Sequence, residues 1–109
     1  MFKTISIYDF QDAFHRAGRN EQFSYEGKQK LFDYLEAYED ETGEKLELDV
    51  IELCCEYEES SVTDIAASYD IDIEGLDERE ALYSVMEYLN DNTMVAGAVG
   101  EYAVLFQTF

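Results

Sequence analysis

The sequence predicts an α+β fold, about four helices packed on a small antiparallel sheet that includes a C-terminal hairpin. Three observations carry this expectation. Apolar residues recur at steps of three and four in several segments that open with residues able to cap a helix. Residues 45–59, "KLELDVIELCCEYEE", begin in strict alternation. The tail "TMVAGAVGEYAVLFQTF" is rich in β-branched and aromatic residues around Gly97 and Gly100 and reads as a hairpin. With 109 residues, 47% of them hydrophobic, the chain suffices for one core, so a single domain over residues 1–109 is expected.

Taken in order, Ser6 caps a first short helix holding Ile7, Phe10, Ala13, Phe14 and Ala17, which Gly18 stops. Ser24 caps a longer helix in which Leu31, Phe32, Leu35 and Tyr38 repeat at helical spacing until Thr42 and Gly43 end it. Its other face carries Asp33, Glu36 and Asp40. In residues 45–59, Leu46, Leu48 and Val50 alternate with Glu47 and Asp49. The phase then shifts so that Ile51, Leu53, Cys55 and Tyr57 align. This reads as a long strand with a bulge or buried middle near Val50 and Ile51, with a helical continuation after Val50 as the other option. Ser61 to Asp64 resembles a capping box with Asp in place of Glu and opens a short helix through about Tyr69. Asp77 to Glu80 starts another, with Ala81, Leu82, Val85, Met86 and Leu89 on one side and Glu80, Glu87 and Asp91 on the other.

Charge is the dominant compositional signal. Twenty-six acidic residues face seven basic ones, a formal net charge of −19. Up to residue 32, Lys3, Arg16, Arg19, Lys28 and Lys30 slightly outweigh Asp9, Asp12, Glu21 and Glu26; beyond it only Lys45 and Arg79 oppose 22 acids. The stretch "YEDETGEKLELD", residues 38–49, sets Glu39, Asp40, Glu41, Glu44, Glu47 and Asp49 against Lys45 alone. Disorder is not the expectation, because 15% of residues are aromatic and nearly half are hydrophobic. The opening Met-Phe-Lys-Thr-Ile-Ser lacks the apolar run of a signal peptide, and no stretch has the roughly 18 apolar residues of a membrane span, so a soluble intracellular protein is expected.

Chemistry-bearing constellations are scarce. Cys54 and Cys55 are adjacent and lack a second pair to complete a tetrahedral metal site; in a strand they point to opposite faces, as small core residues. His15 reads as a solvated helix-face residue beside Arg16, with no nucleophile motif near it. No phosphate-cradling glycine motif occurs. "DIDIEG", residues 70–75, copies the start of a calcium loop, but its twelfth position is Ala81 where a bidentate Glu should stand, and its eighth is Asp77. A polar turn with Gly75 in a conformation other residues avoid is the reading preferred. Nine tyrosines without a cationic groove do not suit nucleic-acid stacking; Tyr34, Tyr38, Tyr83 and Tyr88 read as packing residues with wet tips.

The span "SIYDFQDAFHRAGRNEQFSYEGKQKLFDYLEAYEDETGEKLELDVIELCCEYEE", residues 6–59, with its blocks "YDFQDAF", "FSYEG", "LFDYLE" and "ELDVIELCCEY", resembles a family of small acidic proteins of phages, prophages and plasmids. That resemblance covers about half the chain and implies a mobile-element origin and a small α+β fold. Within that class the chain is similar to anti-CRISPR or anti-restriction inhibitors, type I anti-CRISPRs among them.

The sequence-level expectation is therefore a non-enzymatic inhibitor without cofactor or metal, acting in the host cytoplasm. Its partner would be a host defence complex, a CRISPR effector or restriction enzyme with a basic nucleic-acid-binding surface. Carboxylates one or two helical turns apart stand about 5 to 11 Å from one another and bracket the phosphate spacing of a nucleic-acid strand. The residues assigned to this surface are Asp33, Glu36, Glu39, Asp40, Glu44, Glu47, Glu80, Glu87 and Asp91. The chief alternative is a regulator of host transcription or replication whose acidic faces only confer solubility. A weaker one is an enzyme acting on a defence protein or a nucleotide.

Overall fold

The computed structural model describes residues 6–109. Met1 to Ile5, on which the expectation of no signal peptide falls, lie outside the described residues. Among the described residues the fold is α+β, with five helices and one three-stranded antiparallel sheet. The chain divides into two compact units, Met1–Glu56 and Tyr57–Phe109.

The first unit is helical: α1 (Ile7–Arg16), α2 (Tyr25–Thr42) and α3 (Val50–Glu56). Ser6 caps α1 as its spacing predicts. Its hydroxyl accepts from the Asp9 backbone N–H while the Asp9 carboxylate accepts from the Ser6 backbone, which satisfies two amides that the first turn would leave orphaned. Ser24 caps α2 through the Gly27 N–H at 2.9 Å, and Gly43 closes it at φ +72°, a left-handed conformation open to glycine at little cost.

The apolar stripes of α1 and α2 pack through Phe10, Phe14, Leu31 and Leu35, joined by Phe23 from the intervening loop. Ring pairs Phe10–Phe14, Phe10–Phe32 and Phe14–Phe23 stand 5.2 to 5.7 Å apart in tilted or edge-on geometry, the arrangement that brings a positive ring edge to a negative face. Lys28 is buried beside them, its ammonium donating to Asn20 Oδ1 at 2.7 Å and lying 5.9 Å from the Phe14 centroid.

The expected long strand over residues 45–59 is not formed. Residues 43–49 run without regular structure, Val50–Glu56 turn into α3, and only Tyr57–Ser61 become a strand. The cause is local. Asp49 acts as a helix cap, its carboxylate accepting the Glu52 N–H at 3.1 Å and its carbonyl the Leu53 N–H at 3.0 Å. Leu53 is then the residue that α3 buries.

The second unit holds β1 (Tyr57–Ser61), α4 (Val62–Ser68), α5 (Glu78–Asn92), β2 (Val95–Val99) and β3 (Ala103–Gln107). The C-terminal hairpin is present, and β3 is central in the order β1-β3-β2. A register shift between Val95 and Gly97 bulges β2, consistent with glycine weakening a strand interior. Ser61 caps α4 through the Asp64 N–H at 3.1 Å. Asp77 and Glu80 form a reciprocal capping box on α5.

Val104 and Phe106, two residues apart on β3, share a sheet face and pack with Val62, Ile65 and Ala66 of α4 and Ala81, Val85 and Leu89 of α5. Beside this core Tyr69 stacks on Phe109 at 5.0 Å and meets Tyr88 at 5.6 Å. Leu89 is fully buried. Leu89→Ala should lower unfolding free energy by about 2 to 5 kcal/mol through lost transfer energy and the residual cavity, read as a lower urea midpoint at unchanged slope.

Candidate functional site

Helix α2 carries the clearest acidic face. No basic residue lies between Lys30 and Lys45. Asp33, Asp40 and Glu41 are exposed and Glu36 is half-buried, so the helix presents carboxylates at steps of three, four and seven residues. At 1.5 Å rise per residue the seven-residue step is about 10 Å along the axis. The helix is held at both ends by its caps and along its inner face by the phenylalanine cluster, so the backbone positions that bear these carboxylates are fixed relative to one another.

Not every predicted carboxylate is of this kind. Glu39 is half-buried and accepts the Leu46 N–H at 2.7 Å. Glu44 accepts the Tyr38 hydroxyl at 3.2 Å, and its own N–H donates to Thr42 Oγ1 at 3.2 Å. These bonds fold residues 43–49 back along the C-terminal turn of α2. Glu47 is exposed on the same segment. Much of the crowding in residues 38–49 thus has an internal use: Glu39 and Glu44 shape the return of the chain and Asp49 starts the next helix.

Glu80, Glu87 and Asp91 are exposed on α5 in the second unit. Glu80 belongs to the capping box, accepting from the Asp77 N–H at 3.5 Å while its own N–H donates to Asp77 Oδ1 at 2.8 Å. The Glu80 N–H holds the Asp77 carboxyl below its usual range against a smaller opposing effect of burial, with the Glu80 side chain and the amide and charge of Arg79 assisting.

Sequence reasoning missed the acidic face of α3. Glu56 has its carboxyl raised above the usual range by burial, then by the charge of Glu52 and a hydrogen bond shared with it, and by Asp49. Asp49, Glu52 and Glu56 stand three and four residues apart, a spacing that becomes informative only once the segment is known to be helical.

The cysteines also lie on α3, so the reading as alternating core residues of a strand is corrected. Cys55 is exposed and Cys54 half-buried, both as thiols. Burial pushes the Cys54 thiol up, opposed by the charge of Arg19 and reinforced by Cys55. Of the tyrosines read as packing residues, Tyr34 and Tyr88 are half-buried, whereas Tyr38 is partly exposed and Tyr83 is 70% exposed. Tyr83 therefore does not pack, because its position on α5 faces away from the buried Ala81, Val85 and Leu89. His15 is exposed in the last turn of α1.

In residues 70–75, Gly75 takes φ +80° as expected of a turn, Asp70 is left-handed at φ 56°, and Asp72 accepts the Glu74 N–H at 3.1 Å. Among the described residues no group of three or more His, Cys, Asp or Glu is arranged to hold a metal ion, and no helix is long and apolar enough to cross a membrane.

No protein-family model, curated protein or solved structure matches this sequence.

Two outcomes follow. Under native conditions Cys55 should react with a thiol reagent clearly faster than Cys54, checked by labelling Cys54→Ala and Cys55→Ala separately. Because the folded Glu56 carboxyl holds its proton more tightly than the unfolded one, its ionisation costs stability as pH rises through the carboxylate range. Glu56→Gln should therefore melt higher than the wild type at neutral pH, with the difference closing below about pH 4, where both carboxyls are protonated. Melting curves across that range check it.

Proposed function

We propose that this protein is a non-catalytic inhibitor from a mobile genetic element that acts in the host cytoplasm. It binds a defence complex, a CRISPR effector or a restriction enzyme, at the basic site where nucleic acid would lie. The observation that carries this reading is the acidic face of α2: Asp33, Glu36, Asp40 and Glu41 follow one another without an intervening cation on a helix fixed at both ends. Two or more carboxylates held at the separations of successive phosphates can replace them in a cationic cleft. Long-range attraction between such a face and a cationic cleft speeds the encounter. The uneven distribution of charge supports the same reading, since only Lys45 and Arg79 stand against 22 acids beyond residue 32.

The competing reading, a regulator of host transcription or replication with acidic faces that serve solubility, draws on the internal hydrogen bonds of Glu39, Glu44 and Glu80. Those bonds give several carboxylates structural work. They leave Asp33, Asp40 and Glu41 exposed, and these separate the two readings.

The test is the triple variant Asp33→Lys, Glu36→Lys, Asp40→Lys. In cells with an active CRISPR or restriction system the wild-type protein should protect an invading plasmid, and the variant should not. With the purified effector the variant should bind at least about a hundredfold more weakly, since each close charge pair in such an interface contributes roughly 1 to 3 kcal/mol. Its melting temperature should stay level or rise, because like-charge repulsion is relieved. Wild-type affinity should fall steeply with salt, and nucleic acid should compete. Unchanged affinity on reversal, or affinity flat between about 50 and 300 mM salt, overturns mimicry in favour of a solvated face.

A further inference from the structure

The second unit contains an apolar groove of about 270 Å³ where the start of α4, the turn before α5, the first turn of α5 and the β2–β3 turn converge. Val62 and Ala81 form its buried floor, Ile73 is half-buried, and Leu76 is 37% exposed at the mouth. The walls are well defined. The Leu76 N–H bonds the Ile73 carbonyl at 3.2 Å, and the Val62 N–H bonds the Tyr102 carbonyl at 2.7 Å, which ties the β2–β3 turn to the start of α4. Tyr102 stands over the groove, 59% exposed, its hydroxyl hydrogen-bonded to the Glu78 carboxylate.

The rim is acidic. Glu78 and Glu101 line the opening beside Tyr102. Asp77 also lies there, but its carboxylate is committed to the Glu80 N–H of the α5 cap. Arg79, the one basic residue in the sequence after Lys45, lines an adjoining depression that shares Asp77, Glu78 and Glu101 with this groove, and does not line the groove itself. The volume lies just under the range of about 300 to 1,000 Å³ usual for whole small-molecule ligands, and suits a long side chain better than a nucleotide. An apolar trough with an open aromatic ring and two carboxylates at its lip matches a guanidinium on an aliphatic stem. The plane can stack on the ring, the nitrogens can donate to the carboxylates, and the stem can cover Leu76 and Ile73.

We propose that this groove receives an arginine side chain, flanked by an aliphatic residue, from the protein partner. The assignment rests on the reading that the partner is basic and goes beyond it. Mimicry on α2 needs charge alone, whereas this groove needs charge and shape together, and so selects among basic partners. It also gives the second unit a contact that persists at salt concentrations where exposed ion pairs are screened.

Two peptides serve as probes: acetyl-Gly-Leu-Arg-Leu-Gly-amide and acetyl-Gly-Gly-Arg-Gly-Gly-amide, titrated into the isotope-labelled full chain at about 150 mM salt. The leucine peptide should shift the Ile73, Leu76 and Ala81 methyl signals in a saturable way and bind at least about fivefold tighter than the glycine peptide. Leu76→Ala and Glu78→Gln, each verified as folded by an unchanged melting temperature and amide spectrum, should each weaken the leucine peptide about fivefold. Silent methyl signals, equal binding of the two peptides, or variants that bind like wild type would overturn the assignment. The two readings fail separately: lysine reversal on α2 without effect on the defence complex sinks mimicry while groove shifts persist, and silent groove signals sink the arginine site while α2 reversal still abolishes binding.

Discussion

Every carboxylate in this chain raises the cost of bringing the others close, and with 26 of them against seven basic residues the interior must be nearly free of polar groups for folding to succeed. The buried set reflects this. Phe10, Phe14, Phe23, Leu31, Val85, Leu89, Val104, Leu105 and Phe106 are almost fully enclosed, and Lys28 is the one charged side chain buried among the described residues. An enclosed apolar side chain contributes about 1.5 to 3 kcal/mol, so a handful of phenylalanines and leucines offsets a large amount of mutual repulsion. That a cation, and not an anion, occupies the buried polar position fits the same constraint in a chain of this sign.

The same repulsion explains where individual acids sit. Asp9, Asp49 and Asp77 each accept a backbone N–H at a helix start, where unpaired amides and the helix dipole favour a negative charge. Helix starts are among the few places in an acidic protein where another carboxylate lowers the energy of the fold. Other acids include Glu39 and Glu44, which act as acceptors where the chain returns after α2, and Asp33, Asp40, Glu87 and Asp91, which meet solvent on open helix faces.

Helix beginnings were legible in the residues because capping is local: Ser6, Ser24, Ser61 and Asp77 each stand three positions before the amide they bind. Helix α3 was legible only as the second of two options, because Val50, Leu53 and Cys54 fit a helical period while Ile51, Leu53 and Cys55 fit the period of a strand, and the cap of Asp49 decides between them. For the candidate surface, periodicity identified the open positions Asp33 and Asp40. It could not separate them from Glu39 and Glu44, whose bonds reach seven and six residues across a turn that exists only once the chain is folded. The arginine groove was beyond sequence reading for a related reason, since Val62, Ile73, Ala81 and Tyr102 come from four segments with no shared period.

The strand order β1-β3-β2 leaves β1 and β2 as the sheet's two edges, and an unpaired edge is a template on which another chain can add a strand. Here β1 carries Glu58 and Glu59 in its middle, while β2 has no charge and is interrupted by its bulge at Gly97. One margin is guarded by electrostatics and the other by shape. Near the sequence pI of about 4.1 the net charge that keeps molecules apart is gone. Acid thus removes the colloidal repulsion that holds copies of this protein apart and leaves the sheet edges as the templates on which they can meet.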